Sequence, residues 1–546
     1  MKHLLPILAI TILSLTSTIC GITLGLPSND RLAASFGSME NVAAKTGMLE
    51  AAIASGAAER SEFRERDKIE NFGELAALSP YFDAVRSYNP DEFHTLKVLA
   101  SMYKRRSLLP GSYAYGNFYF YQMGAFAAAG RLTGNLRPQS EVYFLTHPSD
   151  FAPFYLWLRG GAVLFALATA LLLYATGTLM GGKMLGFTAA ATFAALPIAA
   201  LAGKSIKPDM PVAFWTTLAL FFSVNIAKRP EWKYYLLCGA AVGAAAATKY
   251  TGVLAAVVPF VLCCSPGFRD WKKLSGCALT AIATFAVLTP ALFFDFSLWK
   301  FDLLGLHSGI AGTRPWYAQI WHEGQNYLFS AFRITVGTTG FEFLLFLPVA
   351  AFTLIRLFFR FDAFTAALLA FCAVLFGVTC LGQPNSESYL LPAYAAGTLL
   401  FFRPFVQLVK RFPAAFPVLL LFPATAFDNT MIWNAKCAAE NPRMTATKWV
   451  NANIPAGSTI GMRRYPVSYR SLILDPEKYE LRNELENGRD AVLDAEFFID
   501  CSFEWDNRRP EYSGRDAIIG FGPRRDLRIN YFYETVDPVI TIYRKE

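Results

Sequence analysis

The chain has 546 residues, 54% of them hydrophobic and 15% aromatic, with a mean hydropathy of +0.32 and a formal net charge of +8. Charged residues are 17% of the total, against roughly 25% in a soluble domain, which excludes an ordinary soluble protein. Many nearly charge-free stretches of about 17–22 residues are long enough to cross a hydrocarbon core of about 30 Å, so the positive charge is read first through the positive-inside rule and only then as a nucleic-acid signal.

In chain order, Leu4 to Leu24 is apolar behind Lys2 and His3. We take it as a first transmembrane helix with a cytoplasmic N-terminus. A signal peptide would export the next segment equally well. Residues 27–153 then form a long polar first loop. Its first half, Arg31 to Ala77, is rich in Ala, Glu and Arg and reads as helical. Next comes Tyr88 to Lys97. Pro90 suits the first turn of a helix, and Asp91 and Glu92 fall in that turn, where the helix dipole favours carboxylates. Phe93, Leu96, Val98 and Leu99 give the helix an apolar face. Tyr113 to Gly130 is rich in aromatic and small residues and reads as an interface segment.

Ten further spans follow: Phe154–Leu179, Met184–Ala202, Met210–Ile226, Tyr235–Ala247, Tyr250–Cys264, Leu274–Phe294, Phe341–Leu357, Phe364–Leu381, Tyr389–Phe402 and Ala414–Ile432. The pair flanking Lys249 is short, and one long kinked helix would fit the same residues. Counting from a cytoplasmic N-terminus, the alternate connections carry Lys183, then Lys228 and Arg229, then Arg269 with Lys272 and Lys273, then Arg356 and Arg360, then Arg403, Lys410 and Arg411. The positive-inside rule places these in the cytoplasm and puts residues 27–153, the 295–340 loop and the C-terminus outside. Lys204 and Lys207 break the rule by sitting in a short outer loop, which makes them functional candidates.

From Asn434 the composition turns polar. Arg443 to Val450 reads as a helix, Asn453 to Gly457 as a turn, and Ala491 to Ile499 and Val539 to Tyr543 as strands. The expected architecture is a mostly α, polytopic transmembrane protein with about eleven spans. Residues 1–432 form the membrane module with its outer first loop, and 433–546 a small extracytoplasmic α/β domain.

Of the nine cysteines, Cys20, Cys238, Cys263, Cys264, Cys277 and Cys372 lie in apolar segments, Cys380 lies at the end of one, and these behave as small hydrophobes. Cys437 and Cys501 lie in the polar region and would be able to pair outside the cytoplasm. None has metal-ligand spacing. No Gly-x-Gly-x-x-Gly follows a strand, no phosphate-binding loop is present, and His322-Glu323 lacks the second histidine of a zinc helix. Nucleotide binding and metalloprotease chemistry are therefore unsupported. No cofactor is called for, and a divalent metal finds no support in ligand spacing.

What remains is a ring of polar residues at the outer ends of apolar helices: Asp91, Glu92, Arg159, Lys204, Lys207, Asp209, Lys249, Asp295, His307, Glu387 and Tyr389. Singly, each serves equally well as an interfacial anchor. Together they suit chemistry on a lipid phosphate. A carboxylate takes the proton of an acceptor hydroxyl, and cations hold the phosphate as it leaves.

Along nearly the whole chain these residues resemble the GT-C membrane glycosyltransferases, in particular the dolichyl-phosphate-mannose protein mannosyltransferases and the bacterial aminoarabinose and related sugar transferases (glycosyltransferase families 39 and 83). The resemblance rests on Asn89-Pro90-Asp91-Glu92, Tyr115 to Tyr121 with His147-Pro148, Leu158-Arg159, Lys207-Pro208-Asp209-Met210-Pro211, Thr248-Lys249-Tyr250, Tyr389-Leu390-Leu391-Pro392, and Trp449 with Asn453-Ile454-Pro455. It implies inverting transfer of a sugar from a polyprenyl-phosphate donor to a lipid, glycan or protein acceptor, without nucleic acid as a partner. Asp91, Glu92 and Asp209 are its catalytic candidates, with Asp91 as the base and Glu92 supporting. Lys204, Lys207, Arg159 and Lys249 are expected to bind the donor phosphate, and His94, His307, Glu387 and Tyr389 to contact the acceptor or support the site. The expected location is a bacterial inner membrane with the site facing outward, in keeping with a sequence free of Asn-x-Ser/Thr. Two departures stand out. Roughly 60 residues separate the first span from Asp91, an insertion in the first loop. Ser388 precedes Tyr389 where relatives often carry a basic residue, so the phosphate contact there is rearranged. The rival classes are a transporter, whose charges would sit near the midplane, and a non-catalytic membrane scaffold.

Overall fold

The computed structural model describes residues 3–55, 78–311, 346–359, 361–381, 387–462, 472–483, 487–501, 515–521 and 539–545. They fall into two compact units. One comprises Met1–Ile22, His94–Ala129 and Trp157–Asn434; the other comprises Thr23–Phe93, Gly130–Leu156 and Ala435–Glu546.

The first unit is helical. Its helices include Leu4–Ile19, Lys183–Ala195, Pro197–Ala202, Asp209–Lys228, Trp232–Thr248, Val257–Cys264, Trp271–Leu288, Phe296–Ala311, Phe346–Phe359, Ala363–Leu381 and Leu391–Arg411. The helices Ala152–Gly181 and Phe416–Ala438 belong mostly to it. A single apolar core links Ile10, Leu173, Phe193, Leu220, Phe371 and Phe402, all essentially excluded from solvent. Small residues let these helices approach closely. A Cβ on Gly239 would lie 2.2 Å from the Cys277 carbonyl oxygen, and one on Gly243 2.4 Å from that of Ala281. The Gly-x-x-x-Gly spacing on Trp232–Thr248 therefore sets its packing against Trp271–Leu288.

Among the described residues, four helical stretches are long and apolar enough to cross a membrane: Pro148–Gly181, Asp209–Lys228, Ser388–Arg411 and Pro413–Asn453. Leu4–Ile19, Tyr250–Cys264 and Ala363–Thr379 are apolar but shorter. The expected spans fall largely on helix, with residues 20–24, 196 and 289–290 outside it, and residues 341–345 of Phe341–Leu357 lie outside the described residues. Several of these helices fall short of the roughly 20 residues a lone span needs. Lys183–Ala195, for example, is interrupted before Pro197, where Leu196 is extended.

Contacts in this unit join connections of the same charge parity. Lys410 donates to the Gly181 carbonyl at 3.2 Å, Lys273 to that of Pro230 at 2.9 Å, and Arg356 to Gln407. Arg403 grips both oxygens of Asp362 at 2.9 and 3.1 Å. Each of these pairs links two basic connections that the charge rule assigned to the same side.

The second unit holds a five-stranded sheet of β1 (Thr459–Met462), β2 (Glu480–Asn483), β3 (Phe497–Cys501), β4 (Arg515–Phe521) and β5 (Ile540–Lys545), in the order β2-β1-β3-β5-β4. β1 runs parallel to β2 and β3, and β5 runs antiparallel to β3 and β4. Helix Pro442–Asn453 covers the sheet through Ala446, Val450 and Ile454. A second core in the same unit packs Leu32, Phe36, Val42, Leu49, Tyr81 and Leu145 from the helices Asn29–Phe36, Met39–Ala54, Ser79–Ala84 and Glu141–Thr146.

Two expectations are corrected here. The stretch Ala491–Ile499 is not one strand. Arg489–Leu493 is a short helix, entered from Gly488 at φ 79°, and only Phe497 onward joins the sheet. A Cβ on Gly461 of β1 would meet Val492 and Ala495, so this turn packs its apolar residues onto the sheet. Cys437 and Cys501 are not joined by a disulfide. Cys501 is buried in the sheet core with Ile460 and Ile540, while Cys437 sits in the last turn of Phe416–Ala438.

Candidate active site

The helix Pro90–Arg105 starts where the sequence placed it. Asn89 initiates it, taking the Asp91 backbone N–H on its side-chain oxygen at 3.1 Å, and the Asn89 carbonyl accepts the Glu92 N–H at 3.2 Å. Asn89 thus occupies the amides of Asp91 and Glu92. Asp91 is half-buried and Glu92 only 1% exposed, so the two adjacent acids sit in different surroundings, as a turn of about 100° per residue requires. Further along the helix, His94 has its ring edge toward Tyr115 at 6.1 Å and its Nε2 3.4 Å from the Ser112 hydroxyl. The Thr95 hydroxyl meets that of Tyr119 at 3.1 Å.

A second cluster forms where the apolar run breaks at Lys249. Trp232–Thr248 ends there because Lys249 is extended, with φ −148° and ψ 130°. The 3₁₀ turn Tyr250–Ala256 then folds back, laying Gly252 against the backbone of Ala245. The two short segments are therefore separate and not one kinked helix. The Lys249 ammonium donates to Asp209 Oδ1 at 2.6 Å and lies 3.9 Å from the centroid of the Tyr389 ring. Both charges are buried, the side chains being 12% and 2% exposed. Asp209 stands in the first turn of Asp209–Lys228, at the positive end of its dipole. Its second oxygen, Oδ2, is buried, and no donor reaches it among the described residues.

The aromatic loop seals this break. The Gly116 N–H donates to the Thr248 carbonyl at 3.3 Å, and a Cβ on Gly116 would lie 1.9 Å from the Ala247 oxygen, so only glycine fits. Gln122 donates to the Thr248 hydroxyl at 3.0 Å. Tyr113 is gripped twice: its N–H donates to Asp302 at 2.7 Å and its hydroxyl to Asp295 at 2.6 Å. Its carbonyl accepts the Tyr250 hydroxyl at 3.0 Å. Burial, reinforced by the Asp295 carboxylate, raises the Tyr113 hydroxyl pKa well above the ordinary phenol range. Tyr113 and Asp302 were missed as site residues because their partners lie roughly 180 residues away in sequence.

Two expected phosphate ligands are committed elsewhere. Lys204, 3% exposed, donates to the Cys20 carbonyl at 2.6 Å and to the Asn434 side-chain oxygen. Asn434 in turn donates to the Ser17 carbonyl at 3.0 Å, and Arg159, 4% exposed, donates to the Ile22 carbonyl. These groups gather at the C-terminal end of Leu4–Ile19, where helix carbonyls lack partners and the dipole is negative. That helix has no basic residue in its own last turn, so its capping cations come from other helices. Lys207 is half-buried in the turn before Asp209. His307 lies in Phe296–Ala311, and Glu387 opens the 3₁₀ turn Glu387–Leu390 that carries Tyr389. Among the described residues, no three His, Cys, Asp or Glu side chains gather as a metal would need.

Residues 156–294 match the sequence profile of the dolichyl-phosphate-mannose-protein mannosyltransferase family. This is one of the families read from the ordered motifs, and the matched stretch contains Arg159, Lys204, Lys207, Asp209 and Lys249. Among solved structures, the chain is similar to ArnT from Cupriavidus metallidurans bound to undecaprenyl phosphate, at 11% identity and a TM-score of 0.46, covering 86% of this chain and 96% of that one. It is also similar to the Archaeoglobus fulgidus oligosaccharyltransferase tethered with an acceptor peptide, at 14% identity and a TM-score of 0.45, covering 79% and 69%. The same archaeal enzyme in complex with Zn and sulfate matches at 14% identity and a TM-score of 0.41, covering 67% of this chain; the chain spans about half of that protein, 54%. No curated protein sequence matches the chain. With the apolar helices described above, the family match makes this an integral membrane protein.

Proposed function

We propose that the protein is an inverting membrane glycosyltransferase that transfers a sugar from a polyprenyl-phosphate donor to an acceptor hydroxyl on the outer face of a bacterial inner membrane. The observation that carries this reading lies inside the stretch matching the mannosyltransferase profile. There, Lys249 pairs with Asp209 at a break between short apolar helices, and Tyr389, from outside that stretch, lies against the ammonium. Such a cation is oriented in advance, and a phosphate leaving with a new negative charge is stabilised by it without reorganisation. Asp209 holds the ammonium in place. Lys204 and Arg159 act as caps on the first helix, and the donor phosphate is assigned to Lys249, with Lys207 assisting.

Asp91 takes the acceptor proton. It stands at a helix start, where the dipole favours the ionised carboxylate that a general base requires. Glu92, the more buried acid, supports it. Inversion needs one base and no carboxylate nucleophile on the far side of the sugar. We assign eleven spans, with 27–153 and 433–546 outside. The pairing of same-side connections by Lys410, Lys273 and Arg403 supports this topology. The C-terminal domain, 433–546, positions the acceptor and carries no catalytic acid.

The test uses purified protein in vesicles with radiolabelled polyprenyl-phosphate sugar. A glycosyltransferase moves the label from lipid to acceptor. A transporter moves label across the membrane with the lipid linkage intact, and a scaffold does neither.

A further inference from the structure

Within the second unit, residues 23–31 and 437–448 enclose a cleft of about 230 Å³ that also touches Tyr88. That is room for a single sugar ring but not for an extended chain. The charged groups that line it, Asp30, Arg31, Glu440 and Lys448, cancel. An anion gains nothing there from net charge, and a lipid tail would meet polar walls.

The cleft is held in shape before any ligand arrives. Arg31 is 7% exposed and donates to the Arg86 carbonyl at 2.8 Å and to those of Gly25 and Leu26 at 3.2 and 3.3 Å. The Arg31 and Arg443 guanidinium groups each lie 4.8 Å from the centroid of the Tyr88 ring, fixing it in place. Asn441 starts the helix Pro442–Asn453 by accepting the Arg443 N–H at 3.1 Å. At the mouth, Lys448 pairs with Glu440 at 2.6 Å, both half-exposed. Carboxylate acceptors, amide groups and charged N–H donors thus face one small volume without net charge. Vicinal hydroxyl groups, each both donor and acceptor, are the ligand chemistry such a set recognises. Tyr88 stands three residues before Asp91 on the same strand of chain.

We propose that this cleft binds a neutral saccharide unit of the acceptor, which makes the acceptor a glycan. Its role in transfer rests on the glycosyltransferase reading, but saccharide binding itself does not. The test is saturation-transfer-difference NMR on the full-length protein in lipid nanodiscs. The probes are methyl α-mannoside, methyl β-glucoside, methyl β-galactoside and N-acetylglucosamine. At least one is expected to receive saturation at its ring protons. The Ala439→Trp variant, which fills the cleft from an exposed position, should abolish the signal. The Asp30→Asn/Glu440→Gln variant, which keeps shape at two exposed sites, should weaken it at least several-fold. No transfer to any probe in the wild type overturns the proposal. So does transfer that survives both variants, or transfer that is competed away by inorganic phosphate. Donor consumption is followed in parallel. A protein that consumes polyprenyl-phosphate sugar but binds no saccharide loses the cleft and keeps the glycosyltransferase reading; the reverse pattern keeps the cleft and loses that reading.

Discussion

Two clusters of cations in the helical unit look alike in sequence and differ in what they hold. At the end of the first helix, Lys204 and Arg159 donate to the backbone carbonyls of Cys20 and Ile22, and Asn434 to that of Ser17. At the break, Lys249 faces a carboxylate and an aromatic ring, and that carboxylate keeps a buried oxygen without a donor among the described residues. Carbonyls at a helix end are permanent partners, and meeting them completes the fold. A pair with an unfilled acceptor site is a place where something else can bind or react. A charge at the mouth of an apolar helix therefore marks function only once its partner is known.

The comparison is sharpest in stability. Asp209→Asn leaves Lys249 buried without its counter-charge and should cost about 3–5 kcal/mol, whereas replacing both residues by apolar ones of similar size should be close to neutral. Thermal unfolding in detergent, followed by tryptophan fluorescence, measures both. Equal losses in the single and double variants would mean that the pair is not the stabilised unit.

The next contrast separates the two lysines. Lys204→Met strands two acceptors at the end of the first helix and should lower stability by about 1–3 kcal/mol, with the donor KM of the folded fraction unchanged. Lys249→Met strands the Asp209 carboxylate and should lower stability as Asp209→Asn does. Unlike Lys204→Met, it should also raise the donor KM of the folded fraction by about tenfold to a hundredfold, since a hydrogen bond to a charged group is worth about 1.5–3 kcal/mol. If the two effects exchanged places, the assignment of phosphate to the break would be reversed.

The smallest effect lies at the Arg403–Asp362 pair. Arg403, by hydrogen bonding and charge, holds the Asp362 carboxyl at about 2 against the opposing effect of burial. A depressed carboxylate contributes stability that is fully present above its unfolded value and is lost as pH falls toward 2. Both side chains are partly exposed, so solvent screening limits the contribution to about 1 kcal/mol or less. Arg403→Met should lower stability at pH 7 by that amount, and its difference from the wild type should shrink as pH falls from roughly 4 to 2.

Much of the helical scaffold was legible from sequence, for physical reasons. Hydropathy marks helices such as Asp209–Lys228 directly, while Thr248-Lys249-Tyr250 left two short helices and one kinked helix equally open, a choice that the extended backbone of Lys249 decides. The helix start at Pro90 was legible because proline and first-turn acids act locally. What stayed hidden was long-range. Tyr113 meets Asp295 and Asp302 across some 180 residues, and the carbonyls that occupy Lys204 and Arg159 leave no trace in composition. The Arg489–Leu493 helix was misread because a short apolar run such as Ala491-Val492-Leu493 fits strand and helix alike.

The most direct test of the glycosyltransferase account is Asp91→Asn, which keeps size and polarity but removes the proton acceptor. Polyprenyl-phosphate binding and sugar transfer are measured on the same purified sample. The account predicts unchanged lipid affinity and a turnover reduced by about 10²–10⁴. Near-normal turnover in Asp91→Asn together with loss in Glu92→Gln would move the base to Glu92, and near-normal turnover in both would contradict the account.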